Sequence, residues 1–403
     1  MRPRLIVICV AFAAAVAATG AGAAPQAEPG LSSSTILIGG TAPLSGEASS
    51  GGAVARGAEA YFKYVNARGG VHGRKIDYKY LDDGYDPGRT VQAVRQLVQQ
   101  DRVFAIFNTL GTSNNLAIRP FLNAAKIPQL FVASGARTFG SDYRKYPWTI
   151  GYIPTYTAEG RIYAQHIVKT RPRARVAVLY QDDEYGKELL AGLRKGMGGR
   201  GRQIVRTVGY EPTATDVRSQ LARLKSSGAD TVVLITFGKF SIQSFIYLRQ
   251  LNWKPKALYV NAVASSSSLM RLSPPDATQG AISIGFYKDP AAPSMARDPG
   301  IRLFRTIMQR YLPGSSIRDG YYLAGMASAY TFVDTLRRAG RSPTRQTLIN
   351  QAIRLRERQN PFLLPGIVLR TSPTSRYPIS QVRLQRWNRG SWTLIGPLLS
   401  AKP

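Results

Sequence analysis

Residues 175–197 read RVAVLYQDDEYGKELLAGLRKGM, and two elements are legible in that one stretch. Arg175 to Tyr180 reads as a strand, and its run Val176 to Tyr180 is continuously apolar, the pattern of a strand covered on both faces. Past the polar pair Asp182-Asp183, Tyr185 to Met197 reads as a helix. A buried strand that passes straight into a helix is half of a strand–helix–strand unit. Such units build parallel sheets flanked by helices.

The same rhythm extends both ways. Upstream, Thr35 to Thr41 (TILIGGT), Lys75 to Leu81, Val103 to Phe107 and Gln129 to Ala133 read as strands. Between them Val54, Ala58, Tyr61, Phe62 and Val65 recur at helical spacing until Gly69-Gly70 stops the helix. Pro87 opens a second helix, and a third runs from Gly111 to Ala125. Downstream, strands are expected at Gln203–Val208, Thr231–Thr236, Lys256–Asn261 and Gly280–Tyr287. Helices are expected near Ala158–Lys169, Val217–Leu224 and Phe240–Leu251, with two or three more within Ile301–Leu355. The C-terminal stretch from Gly366 lacks helical periodicity. Val382 to Trp387 and Trp392 to Leu394 read instead as an antiparallel pair turned at Asn388-Arg389-Gly390. These units are too many for one sheet, so two α/β lobes with parallel sheets, joined by several crossings, are expected.

The N-terminus has the form of an export signal. Arg2 and Arg4 precede an apolar run from Leu5 to Ala18 and small residues from Thr19 to Ala24. Ala21-Gly22-Ala23 fits a small-x-small cleavage site, which places the cut near Ala23 or Ala24. The apolar run is short of the roughly 20 residues that span a bilayer, so no membrane insertion is expected after cleavage. The one cysteine, Cys9, follows Ile8 inside the apolar run, where a lipid-anchoring signal would need a small residue before it. The mature chain then has no cysteine, hence no disulfide, thiolate nucleophile or Cys-ligated metal. Export without disulfides fits a bacterial periplasm.

The formal charge of +31 falls to about +29 without Arg2 and Arg4. Basic residues never run more than two together, and no aromatic-rich basic motif accompanies them, so the surface reads as diffusely basic and no nucleic-acid partner is expected. Enzymatic constellations are poorly represented. His72 and His166 are the only histidines, and no nucleophile elbow, dinucleotide or phosphate loop is present. The pairs Asp82-Asp83 and Asp182-Asp183 follow strands, and turn capping is their expected role. No catalytic residue, metal or cofactor is assigned.

In open parallel sheets, ligands sit beyond the carboxyl ends of the strands, where helices begin. Three stretches at such ends carry small polar residues: Ala42 to Gly52, Leu110 to Asn114 and Ala133 to Ala136. Hydroxyls and backbone N–H groups at helix starts suit a carboxylate.

Several motifs resemble the periplasmic leucine/isoleucine/valine-binding proteins of ABC importers, over essentially the whole mature chain. They are Ile38-Gly39-Gly40 leading to Ala42-Pro43-Leu44-Ser45-Gly46, Gly57-Ala58, Val65 to Lys75 (VNARGGVHGRK), Asp82 to Pro87 (DDGYDP) and Asp183-Glu184-Tyr185-Gly186. Ile127 to Ala136 and Pro147 to Gly151 are similar to a branch annotated by homology for branched-chain amino acids, in whose wider group some members take aromatic acids. The resemblance implies two Rossmann-like lobes of the type I periplasmic binding fold, linked by three crossovers. The first lobe would be residues 34–152 plus 286–365 and the second 153–285 plus 366–403. It also implies a membrane permease as partner and a monomeric chain. Ligand contacts carried over are Ser45, Thr112, Ser113, Ala133, Ser134 and Gly135 from the first lobe's loops, and Tyr185, Phe237 and Ala262 from the second. Tyr152, Tyr156 and Tyr321 are further candidates. Amino-acid binders of this family set an acid from the second lobe against the ligand's ammonium. The matching stretches here, Ile153-Pro154-Thr155 and Asn261 to Ala264, hold none. A desolvated ammonium without a counter-charge costs several kcal/mol, so a carboxylate lacking an α-amino group, such as an aromatic acid, is the expected ligand. A receptor-linked sensing module and an exported α/β enzyme are the alternatives.

Overall fold

The computed structural model describes residues 28–403, so the expected export signal lies outside the described residues. Two parallel sheets dominate. The first takes its strands from β1 (Thr35–Ala42), β2 (Lys75–Asp82), β3 (Ile106–Phe107), β4 (Gln129–Val132) and β5 (Thr149–Gly151), in the order β2-β1-β3-β4-β5. The second contains β6 (Val176–Gln181), β7 (Ile204–Tyr210), β8 (Thr231–Ile235), β9 (Ala257–Val260) and β10 (Ile282–Gly285). A two-residue pair, β11 (Arg356–Glu357) and β12 (Leu369–Arg370), stands apart, and β13 (Gln381–Asn388) and β14 (Ser391–Ser400) extend the second sheet. Its full order is β14-β13-β10-β9-β8-β6-β7. The five parallel strands of each body thus follow one winding, with the order reversing between β1 and β3 in the first and between β6 and β8 in the second. Those reversals are where a cleft opens at the strand ends.

The apolar runs dictate this. All five residues of β8 and all four of β4 and β10 are buried, as strands covered by helices on both faces must be. The covering helices are α1 (Gly52–Asn66), α2 (Pro87–Arg95), α3 (Thr112–Ala124), the single turn α4 (Thr138–Ser141), α5 (Tyr156–Thr170), α6 (Glu184–Met197), α7 (Arg218–Lys225) and α8 (Lys239–Gln250). Short helices α9 (Ser267–Leu272) and α10 (Pro275–Thr278) follow, and then α11 (Pro299–Tyr311), α12 (Gly320–Ala339) and α13 (Arg345–Ala352), which return to the first body. Caps are set by sequence: Asp86, Thr155, Asp183 and Asp319 each accept a first-turn N–H.

Glycines let helices touch backbone to backbone. A Cβ on Gly57 of α1 would lie 2.1 Å from the Tyr322 carbonyl of α12, and one on Gly325 of α12 would lie 1.9 Å from that of Val54. Gly160 of α5 and Gly192 of α6 meet the same way, against Leu189 and Thr157.

The turn expected at Asn388-Arg389-Gly390 joins β13 to β14, with Arg389 and Gly390 in the left-handed region. Two features differ from the sequence reading. The segment Val103 to Phe107 forms a regular ladder only at Ile106–Phe107. The chain also stays with the first body beyond Pro365: β12 pairs with β11, Arg376 donates to the Pro147 carbonyl, and the Ile379 N–H donates to the Tyr152 carbonyl.

Candidate functional site

The carboxyl ends of both sheets face each other across a cleft of about 1080 Å³, its open mouth included. Aromatic side chains from both bodies contribute to its wall. Tyr85 enters from the loop after β2 and packs on Phe237, from the loop after β8, with ring centroids 5.4 Å apart. Tyr156, at the start of α5, packs edge-on against Tyr185 at 4.9 Å. Tyr152, Phe286, Tyr287, Tyr321 and Trp392 complete the wall.

The two bodies are in contact around this space. Ser113 donates to Glu184 at 2.6 Å, and Lys239 pairs with Glu47 at 2.7 Å. The Arg137 N–H donates to Glu188 at 2.8 Å, and the Tyr321 hydroxyl donates to the Val263 carbonyl at 2.7 Å. Burial pushes the Glu188 carboxyl up to about 7, since the Arg137 contacts offset only part of its desolvation.

Of the residues singled out from sequence, Ala133, Tyr152, Tyr185, Phe237, Ala262 and Tyr321 line the cleft, as does Tyr156. Ser45, Thr112, Ser113, Ser134 and Gly135 do not. The Ser45 hydroxyl is turned to Asp82 at 2.5 Å. Burial opposes ionisation of Asp82, yet donation from Ser45 and from the Gly84 and Leu44 N–H groups outweighs it and holds the carboxyl well below its usual range. Thr112 and Ser134 pair through their hydroxyls at 2.7 Å, one layer behind the wall. Tyr156 covers them. Its phenol is raised to about 12 by burial, against the opposing hydrogen bonds of Gly135, Ser134 and Thr112. Gly135 lies under the start of α5, where a Cβ would sit 2.4 Å from the Pro154 carbonyl.

Helix α3 begins beside the cleft. Its N-cap is Gly111, with φ of 108° and no side-chain cap, so its first N–H groups and the positive end of its dipole lack the anionic or hydroxyl partner that α5, α6 and α12 have. A carboxylate there would complete the cap.

Sequence reading missed several wall residues. Tyr85 sits inside the quoted DDGYDP motif, which could have flagged it. Asn108 takes a left-handed conformation and donates to the Phe131 carbonyl at 2.6 Å. Trp392 comes from the C-terminal hairpin, and its indole N–H donates to the Ser265 carbonyl at 2.7 Å. No local pattern marks either. Two acids absent from the matched stretches also come near. Asp289 lines the cleft, accepts from the Ala291 and Trp392 N–H groups, and has its carboxyl pushed up by burial. Glu159 lies behind the wall, accepting from the Tyr163 hydroxyl and the Ala262 N–H, and burial raises it to about 7. The wall lysine, Lys288, is paired with Asp298 at 2.7 Å.

The histidines are structural. His72 bonds the Arg337 carbonyl at 2.9 Å and His166 the Tyr259 hydroxyl at 2.7 Å. Asp183 caps α6, and Asp182 pairs with Lys187 at 3.0 Å.

Tyr152 also anchors a buried network behind the cleft. Its hydroxyl reaches the Ala327 carbonyl and Thr331, and Thr331 and Asn360 both donate to Glu357 Oε1 at 3.0 Å. Glu357 Oε2 is buried without a partner. Burial raises this carboxyl from 4.5 to about 7, with the Asn360 and Thr331 bonds opposing. A carboxyl raised on folding binds protons more tightly in the folded chain, so its charge destabilises the fold as pH rises through that window. Glu357→Gln is expected to raise stability by about 2 kcal/mol near pH 8 and to change it little near pH 5, as read by urea denaturation. An equal effect at both pH values would contradict this account.

Comparison with known proteins places this geometry in context. Residues 35–391 match the family model described as periplasmic binding protein. Leu/Ile/Val-binding protein homolog 7 of Brucella abortus (strain 2308) is 27% identical over 350 residues, covering 81% of each chain. A branched chain amino acid ABC transporter protein of Thermus thermophilus, solved with bound valine, superposes with a TM-score of 0.81 at 18% identity, over 92% of this chain and 97% of that one. A solute binding protein of Rhodopseudomonas palustris BisB5, in complex with 3,4-dihydroxy benzoic acid, gives 0.76 at 18% identity, over 92% and 98%.

Proposed function

This chain belongs to the periplasmic binding protein family, and from that premise we propose that it captures a small carboxylate-bearing solute between its two lobes and delivers it to an ABC importer. The lobes correspond to residues 34–152 plus 286–379 and to 153–285 plus 380–403, and the chain acts by binding alone, without catalysis. Closure is driven by the ligand, which touches both halves of the wall and so favours the state in which they meet. Export to the periplasm follows from the Arg2–Ala24 segment.

The ligand is an aromatic acid or a similar carboxylate without an α-amino group. The observation that carries this is the wall itself: rings from both lobes surround the space, while the uncapped start of α3 offers the polar anchor. The acids nearest the cleft favour the same reading. Asp289 and Glu159 are each occupied by two donors within the protein, and burial disfavours their charged forms, which makes them poor partners for an ammonium. The dihydroxybenzoate held by one structural neighbour is consistent with this choice, although another holds valine.

Titration calorimetry with 4-hydroxybenzoate, benzoate, L-leucine and L-valine tests the assignment. Binding of an aromatic acid is expected, with a raised unfolding temperature that follows RT ln(1 + [L]/Kd), about 2.7 kcal/mol at a hundredfold excess over Kd. Tight leucine or valine binding with no response to either aromatic acid would overturn it.

A further inference from the structure

The basic residues are spread over both bodies, and several of them stand at the amino ends of the second body's strands. In the second body, four of the five turns that lead from a helix back into a parallel strand carry exposed cations, the turn before β10 being the exception. Arg173 precedes β6, Arg200 and Arg202 precede β7, Lys225 ends α7 before β8, and Lys254 and Lys256 precede β9. These turns lie together at the amino ends of adjacent strands, because β7, β6, β8 and β9 are neighbours in parallel register. Lys195, in the last turn of α6, faces the same rim. Against these cations the four turns hold one carboxylate, Asp230, and it is taken by Arg171 at 3.0 Å.

The rim cannot serve the cleft. The cleft is at the carboxyl ends of the same strands, and α5, whose 15 residues start at the cleft and end at the rim, separates the two by roughly 22 Å. That exceeds the Debye length of about 8 Å at physiological salt, so the rim neither contacts nor steers a ligand.

We propose that this rim is a docking surface for anionic phospholipid headgroups, held by electrostatics alone. Charge complementarity fits an anionic surface, and the single aromatic residue in these turns, Trp253, is buried, so no ring is offered to an unpaired base and lipid is favoured over single-stranded nucleic acid. Nothing apolar projects there either, since Leu272 and Ile317, the exposed large hydrophobic residues among those described, lie elsewhere, at the end of α9 and between α11 and α12. Such a surface skims a bilayer without entering it. It is independent of which solute the cleft holds.

The test is co-sedimentation with phosphatidylcholine vesicles, with and without phosphatidylglycerol, across a salt series. The full mature chain is compared with a variant carrying Arg173→Gln, Lys195→Gln, Arg202→Gln and Lys256→Gln. A control variant loses the same charge elsewhere, through Arg297→Gln, Arg310→Gln, Arg318→Gln and Arg358→Gln. Binding is expected only with phosphatidylglycerol and is expected to fade with salt. Each nearby cation adds roughly fivefold to partitioning, so the rim variant, which lacks four of them, should lose roughly several hundredfold while the control loses far less. Equal losses in the two variants would mean that net charge alone acts, and would overturn the proposal. So would binding to phosphatidylcholine alone, or a stronger rim-dependent response to a single-stranded oligonucleotide than to the vesicles.

Discussion

Replacing Gly57 by valine is expected to lower the stability of the folded chain by roughly 3 kcal/mol, the upper range for overpacking a close-packed core. The cause is local and severe. Helices α1 and α12 cross with Gly57 against the Tyr322 carbonyl and Gly325 against the Val54 carbonyl, and a Cβ on either glycine would fall 2.1 Å or 1.9 Å from backbone oxygen. Backbone cannot rotate aside as a side chain can, so the helices must separate. Separation would loosen Phe62, which packs on Tyr78, Phe107 and Phe332 in the middle of the first body. Gly199→Ala is the matching control, because nothing lies within 4 Å of its Cβ position and its φ is unremarkable. Urea denaturation should show a large drop in midpoint at constant m for the first substitution and almost none for the second. A Gly57→Val protein within 0.5 kcal/mol of the parent would mean that the crossing is not as tight as drawn.

That crossing shows where sequence reading stops. Gly57 stood out only as part of a motif, and nothing nearby in the chain reveals that its partner is Tyr322. The elements themselves were legible, because each rests on local chemistry: the continuous apolar runs of β6 and β8, the apolar stripe of α1, Pro87 at the start of α2 and the capping role of Asp183. Parallel sheets covered by helices followed from their alternation. What could not be read were features made by distant residues meeting. β5 is three residues long, too short to show a period. The cleft draws Tyr287 and Asp289 from a crossing and Trp392 from the terminal hairpin, none with a local signature.

The hydroxyl residues illustrate the same limit from the other side. Thr112, Ser113 and Ser134 are the residue types a carboxylate site wants, and they do stand at strand ends. Yet Thr112 and Ser134 satisfy each other, and Ser113 bridges to Glu184 on the other body. Composition identifies groups able to bind a ligand. It does not say which of them the fold has already paired. The aromatic residues escape this ambiguity, because a ring at a strand end has no comparable internal partner to saturate it and must either fill core or wall a space.

Phe237→Ala is expected to weaken binding of 4-hydroxybenzoate by on the order of a hundredfold, a hot-spot loss for a buried aromatic anchor. Phe237 contributes in two ways. It forms part of the wall from the second body, and it packs on Tyr85 of the first, a contact that exists only while the bodies meet. Removing the ring therefore costs affinity directly and also withdraws stabilisation from the closed state that binding needs. Tyr85→Ala should act similarly through the same pair. The two effects then cannot add: once one ring is gone the other has lost its partner, so the double variant should bind little worse than the weaker single one. Calorimetry on the four proteins gives the cycle, and small-angle scattering at saturating ligand should show the parent more compact than the double variant. If the two losses add in full, the rings act separately on the ligand, and their mutual contact contributes nothing to holding the lobes together.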